Sequence, residues 1–183
     1  MEYKDFLALL KTRRSIRFFK PDPIPKGDIE KVLEAARWAM SGGNGQPWEF
    51  IVITDRATKA KVSKIIDGRQ DRHWEMEMTR MQEYRHPQYQ RRDLLDHQVR
   101  MINEAPALVI VAGDIRKFQA TVIGHQFFSG EHDIFHMNLG NASQILCLAA
   151  ASLGLGSGWQ TIDRPSELEM KNLLGIPIEY KIY

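Results

Sequence analysis

Only one cysteine, Cys147, occurs among the 183 residues. No internal disulfide can form, and the apolar helical pattern around Cys147 reads as core in a reducing compartment. No apolar run reaches the roughly 20 residues that a bilayer-crossing helix needs, and no charged and then apolar leader of the secretory kind opens the chain. These absences predict a cytoplasmic protein. Charge of one sign is scarce too: 25 Lys and Arg stand against 23 Asp and Glu, a formal net +2. That balance argues against a nucleic-acid surface, which needs clustered bases. Reaction signatures are equally sparse. His132 and His136 stand at helical spacing without further ligands nearby, so no metal site is predicted. There is no Gly-x-Ser-x-Gly elbow, no activated-cysteine setting, and no dinucleotide-binding glycine fingerprint after a strand.

What is present is an ordinary globular composition, 43% hydrophobic and 26% charged, at a length suited to one domain with a sizeable core. Residues 1–183 show no repeat, low-complexity tract or linker, and read as a single domain. The most informative stretch is Ser41-Gly42-Gly43-Asn44-Gly45-Gln46-Pro47-Trp48. Its glycines permit positive φ and leave no β-carbons in the way of a flat ligand. Ser41, Asn44 and Gln46 are short polar groups suited to the edge of a heterocycle. A plain connecting loop is the alternative. Upstream, Arg13-Arg14-Ser15-Ile16-Arg17 follows an amphipathic run. It is either a solvated basic corner or a phosphate site, since guanidinium groups give charge-assisted, bidentate bonds to phosphate.

Periodicity predicts helices over Tyr3–Lys11, from an Asp28 N-cap through Ala39, over Ala57–Ile66, from an Asp133 N-cap through Leu153, and over Arg164–Leu174. The helix to Leu153 is expected to be largely buried. Strands are predicted at Trp48–Thr54, buried on both faces, at Ala107–Gly113, and at Glu179–Tyr183, with a further short strand beginning near Trp159. Between Gly68 and Gln98 the character changes to charges interleaved with methionines, Trp74, Tyr84 and Tyr89. This is either a solvated helical hairpin or a mobile cap over a pocket, with Trp74, Glu83 and Tyr84 facing substrate. The cap is the reading preferred here.

Four motifs, in order over nearly the whole chain, resemble the FMN-dependent nitroreductase superfamily. They are Arg13-Arg14-Ser15-Ile16-Arg17, the Ser41 to Trp48 stretch, Leu153-Gly154-Leu155-Gly156-Ser157-Gly158-Trp159, and Leu174-Gly175-Ile176-Pro177. The resemblance implies an α+β fold, with a mixed, mostly antiparallel sheet wrapped by helices, and a homodimer holding two FMN at its interface. By the same resemblance Arg13 and Ser15, with Arg14 alongside, would hold the FMN phosphate. Arg17 would approach the pyrimidine side of the ring, and Ser41, Gly42 and Asn44 would come from the opposite subunit. Trp159, Gln160 and Thr161 would present backbone amides and a hydroxyl to the ring, and Gln98 or Arg100 would touch it from before the second core strand. Two departures stand out. Met40 replaces the family's usual proline, and the sequence ends at Tyr183, where relatives add a strand and a basic tail. FMN affinity and dimer stability are the properties these departures bear on.

The activity implied is an NAD(P)H-dependent FMN oxidoreductase that reduces nitroaromatics, quinones or similar electron-poor substrates by ping-pong exchange, with NADH and NADPH both open. The missing glycine fingerprint does not count against a nicotinamide donor, since one can stack on a flavin without a dedicated fold. Alternatives are a reductive dehalogenase or flavin-fragmenting member of the superfamily, suited by the charged excursion, and a non-catalytic flavin-binding protein.

Overall fold

The apolar runs pair into a sheet. In the computed structural model, which describes residues 2–87, 92–122, 124 and 131–183, Trp48–Ile53 (β1) lies antiparallel to Leu108–Asp114 (β2), and Tyr180–Ile182 (β3) lies antiparallel along the other edge of β2. The register sets Trp48 opposite Gly113 and Ile53 opposite Leu108. Strand alternation sends side chains to the two faces in turn, and helices cover both. On one face α3 (Arg56–Met78), α4 (Arg92–Glu104) and α7 (Arg164–Leu174) bury Val62, Ile66, Ile102 and Met170 against Ile53 and Ile182. On the other, α5 (Ile115–Thr121) and α6 (Glu131–Ser152) bury Phe118, Phe135 and Leu139 against Trp48 and Val111. Burying one such side chain contributes about 1.5–3 kcal/mol. Helix α6 sits directly on β2 because Gly113 has no side chain; a Cβ there would lie 2.7 Å from the Phe135 ring. Two further helices, α1 (Tyr3–Thr12) and α2 (Lys26–Arg37), lie against α6. The architecture is α+β, and no helix among the described residues is long and apolar enough to cross a membrane.

Several boundaries differ from the sequence expectations, each for a local reason. Helix α2 starts at Lys26 after Pro25, and Asp28 sits in its first turn, accepting from Lys31 Nζ at 2.8 Å instead of capping. Helix α6 already includes Glu131, so Asp133 lies inside it. Helix α3 does not stop near Ile66 but runs on to Met78, because its later inward positions are Arg69, Gln70 and Glu77, polar groups that an apolar stripe cannot reveal. It is capped at its start by Asp55, which accepts from the Thr58 N–H at 2.7 Å. It is fastened to the chain just after α4 by Lys59 Nζ, which donates to the Ala105 carbonyl at 2.6 Å. Strand β1 lies at the edge of the sheet with Glu49 exposed, yet both its faces reach core, Ile51 and Ile53 on one side and Trp48 and Phe50 on the other, in line with its continuous apolar run. Near Trp159 there is no strand, only a single bridge at Ser157. Helix α6 is half-buried from Ile145 to Ala149 and α1 buries no residue, leaving Phe6 and Leu10 each 38% exposed.

Candidate functional site

Two segments from near opposite ends of the chain run side by side. The Ile16 N–H donates to the Ser157 carbonyl at 2.9 Å, a parallel bridge between Ser15 and Ser157. Glycine makes this approach possible: a Cβ on Gly158 would stand 2.5 Å from the Ile16 carbonyl oxygen, well inside van der Waals contact. Beside the bridge opens a cleft of about 130 Å³. Residues 15–17 form one wall and residues 158–161 the other, with Arg69 of α3 and Met101 of α4 closing the rest. Trp159 is steadied by Tyr183, whose ring centroid is 5.3 Å away and which stacks in turn on His136.

The cleft lining includes Arg17 and Arg69 and no acidic residue. Arg17 Nη1 donates to the Ser15 carbonyl at 3.2 Å. Arg69 is only 8% exposed. One helical turn on, Arg72 bonds Asp163 in a fork, with Nε to Oδ2 at 3.0 Å and Nη2 to Oδ1 at 3.1 Å, and also reaches Ser166 Oγ at 2.8 Å. Asp163 is itself the N-cap of α7, accepting from the Ser166 N–H at 3.0 Å. Burial pushes the Asp163 carboxyl up, but Arg72 and Ser166 outweigh it and hold the group well below the ordinary carboxylate range. Burial, and then the nearby Arg69 charge, lower the His73 imidazole from its usual value. The second half of α3 is thus tied to the chain that follows the cleft wall.

Of the residues singled out in the sequence, Ser15, Arg17, Trp159, Gln160 and Thr161 meet in this cleft. Gln160 Oε1 is buried there without a hydrogen-bond donor among the described residues. Arg13 ends α1, half-buried, and Arg14 turns back to donate to the Arg13 carbonyl at 2.9 Å; neither is part of the cleft lining. Arg100 is exposed, with its guanidinium 5.4 Å from the centre of the Phe18 ring, while its neighbour Met101 lines the cleft. Gln98 lies on α4, its side chain outside the described residues, as is Tyr89. Sequence reading missed Arg69 and Met101. A buried arginine within a polar run gives no periodic signal.

Ser41, Gly42 and Asn44 lie apart from that lining, on a one-turn 3-10 helix at Gly42–Asn44. The Gly42 N–H donates to Asn138 Oδ1 at 3.1 Å and the Gln46 N–H to Ser41 Oγ at 3.1 Å. Asn44 and Gln46 both adopt positive φ, 55° and 43°, and Gln46 Nε2 donates to Asn44 Oδ1 at 2.9 Å. Such backbone costs on the order of 1–3 kcal/mol per residue and gathers at binding sites. Trp74, 36% exposed, stands near the end of α3, and Glu83 and Tyr84 are exposed on the turn beyond it. That turn is held by its own chain: Arg85 donates to the carbonyls of Arg80 at 3.0 Å and Met78 at 2.9 Å, and the Glu77 carboxylate accepts from Arg80 and from the His86 N–H.

The chain has clear relatives. A protein of Archaeoglobus fulgidus, named provisionally as an NADH dehydrogenase/NAD(P)H nitroreductase, is 30% identical over 177 residues, 95% of this chain and 78% of that protein. Iodotyrosine deiodinase of Danio rerio is 36% identical over 73 residues, 40% of this chain and 25% of the deiodinase. Among solved structures, an oxidized iodotyrosine deiodinase bound to FMN and 3-iodo-L-tyrosine superposes with a TM-score of 0.72 at 24% identity, covering 97% of this chain and 82% of that one. Residues 10–183 match the profile of the Nitroreductase family, and the chain belongs to that family.

Proposed function

We propose that this protein is an FMN-dependent oxidoreductase that takes electrons from NADH or NADPH and passes them, by ping-pong exchange, to nitroaromatic, quinone or similar electron-poor acceptors. The observation that carries the reading is the bridge between Ser15 and Ser157 beside a cleft lined by two arginines and no acidic residue. The residues present fit the cofactor. Arg13 and Ser15, with Arg14 alongside, would hold its phosphate, and Arg17 would face an anionic ring. Gln160 Oε1, buried without a donor among the described residues, fits a ring N–H, and Trp159 and Thr161 complete that wall. Bound FMN would supply the two-electron redox chemistry, and the chain would bind, orient and shield it.

The cleft is about 130 Å³, below the roughly 300–1,000 Å³ of complete ligand pockets. A homodimer that brings Ser41, Gly42 and Asn44 of a second copy to the site would complete it. The half-buried α6 and the unburied α1 supply an apolar face for such a partner. Trp74, Glu83 and Tyr84 would meet substrate from the hairpin tip.

The test is a visible spectrum of the purified protein, then anaerobic titration with each nicotinamide. Flavin absorbance bleached by a nicotinamide and restored by an aromatic acceptor is expected; a colourless protein that takes up no FMN defeats the reading, and a yellow protein inert to both nicotinamides leaves a flavin-binding role without this catalysis. Arg13→Ala is expected to weaken FMN binding ten- to a hundred-fold, the worth of a charge-assisted contact of about 1.5–3 kcal/mol. Unchanged affinity would remove Arg13 from the phosphate site. A second reading, reductive dehalogenation of a halogenated phenol, is favoured by the charged and aromatic hairpin tip and the deiodinase likeness. Halide release under reducing conditions separates the two.

A further inference from the structure

The motifs that point to the cleft lie on two segments, yet a third element enters it. Helix α3 continues past its apolar half and brings Arg69 into the lining at 8% exposure, together with Met101 and residues 158–161. Its placement is not left to one flexible side chain. Arg72, on the same helix, is forked onto Asp163, two residues beyond the last residue of the cleft wall, so helix and wall are fastened together. A buried charge held in this way acts through protein and not through bulk water, where its influence on a neighbouring charge would be several times weaker. Arg17, by contrast, is exposed.

We propose that Arg69 is a ligand-contacting residue of the cleft whose fixed positive charge makes the site prefer a reduced, anionic flavin ring over the oxidised, neutral one. This rests on the flavin reading above. A hydride delivers two electrons and one proton, and so adds one net negative charge to the ring; the nicotinamide is the donor. With Arg17 screened by solvent, Arg69 carries the larger share of the preference. Arg13 and Ser15 serve affinity for the phosphate, which is the same in both redox states, whereas Arg69 serves the difference between them. The inference therefore separates how tightly the cofactor is held from how readily it is reduced.

The experiment measures the reduction potential of FMN bound to the whole protein, against a reference dye, in wild type, Arg69→Gln and Arg69→Lys. Removal of the charge in Arg69→Gln is expected to lower the ratio of reduced to oxidised affinity at least tenfold, a shift of about 30 mV to more negative potential for a two-electron couple. Arg69→Lys, which keeps the charge, is expected to stay within twofold of wild type. If Arg69→Gln does not fold, Arg69→Met is the second neutral variant and refills the space with an apolar stem. A neutral variant whose ratio is within twofold of wild type overturns the proposal, as does a lysine variant that falls as far as the neutral one. Wild type that takes up no FMN overturns the flavin reading itself, an outcome distinct from both.

Discussion

The wall of the cleft and the tip of the α3–α4 hairpin are both rich in arginine, and they are held in opposite ways. Arg72 bonds Asp163 across 91 positions of sequence. Arg85 bonds carbonyls only 5 and 7 positions away. The wall also depends on Ile16 reaching Ser157, while the tip closes on Glu77, Arg80 and His86, all within its own turn. Long-range ties make the cleft a property of the whole fold, whereas Arg85 and Glu77 fasten the tip to its own flanking chain. A substitution in the wall should register in global stability, and one at the tip in substrate handling alone.

The largest expected effect is at Gly158. Gly158→Val would force a side chain against the Ile16 carbonyl and Met101 Sδ, costing about 1–3 kcal/mol as overpacking and abolishing FMN retention. Urea denaturation and the visible spectrum report the two losses. Gly27→Ala, where nothing lies within 4 Å, is the matched control, with no loss of stability expected. Next, Arg72→Ala should cost about 1.5–3 kcal/mol by removing charged hydrogen bonds from partly buried groups, against about 0.5 kcal/mol or less for Arg85→Ala at the tip. Equal costs would erase the contrast.

Acid sharpens it further. Burial raises the Asp163 and Glu167 carboxyls, but Arg72 and Ser166 at the first, and Lys181, the Ile182 N–H and Lys171 at the second, bring both net below their ordinary values. The unfolded chain therefore takes up protons first, at a pKa of about 4. Their contribution is complete above that pH and is lost as pH falls through the lower folded values. His73, lowered by burial and then by Arg69, favours the neutral imidazole in the fold, so stability already declines as pH drops below about 6.5. Melting temperature against pH should show both steps, with Asp163→Asn flattening the lower one. The smallest stability change is expected at the tip: replacing Trp74 and Tyr84 by alanine should alter folding by about 0.5 kcal/mol or less while raising KM for aromatic acceptors severalfold. A variant that unfolds would place those side chains in the core.

The core and most of the cleft were legible for a common reason: their residues leave a pattern. A continuous apolar run located β2, and the glycines around Ser157 mark the backbone contact with Ile16. The continuation of α3 past Gly68 as a partly buried helix, with exposed residues 79–84 beyond it, left none. Beyond Ile66 the inward side of α3 is Arg69, Gln70 and Glu77, residues that composition assigns to solvent because their burial depends on partners elsewhere in the fold. The start of α2 was misplaced for a related reason, an acidic first-turn residue resembling a cap when Pro25 had already begun the helix.

The bridge between Ser15 and Ser157 also fixes an order of events during synthesis. One wall of the cleft leaves the ribosome early and waits for the other until residues 157–161 have emerged. No ligand of this cleft can guide the first helices into place or rescue a stalled nascent chain, since its two walls do not yet coexist. Loading must follow synthesis of residues 157–161, and until then no cofactor organises the exposed apolar side chains of α1.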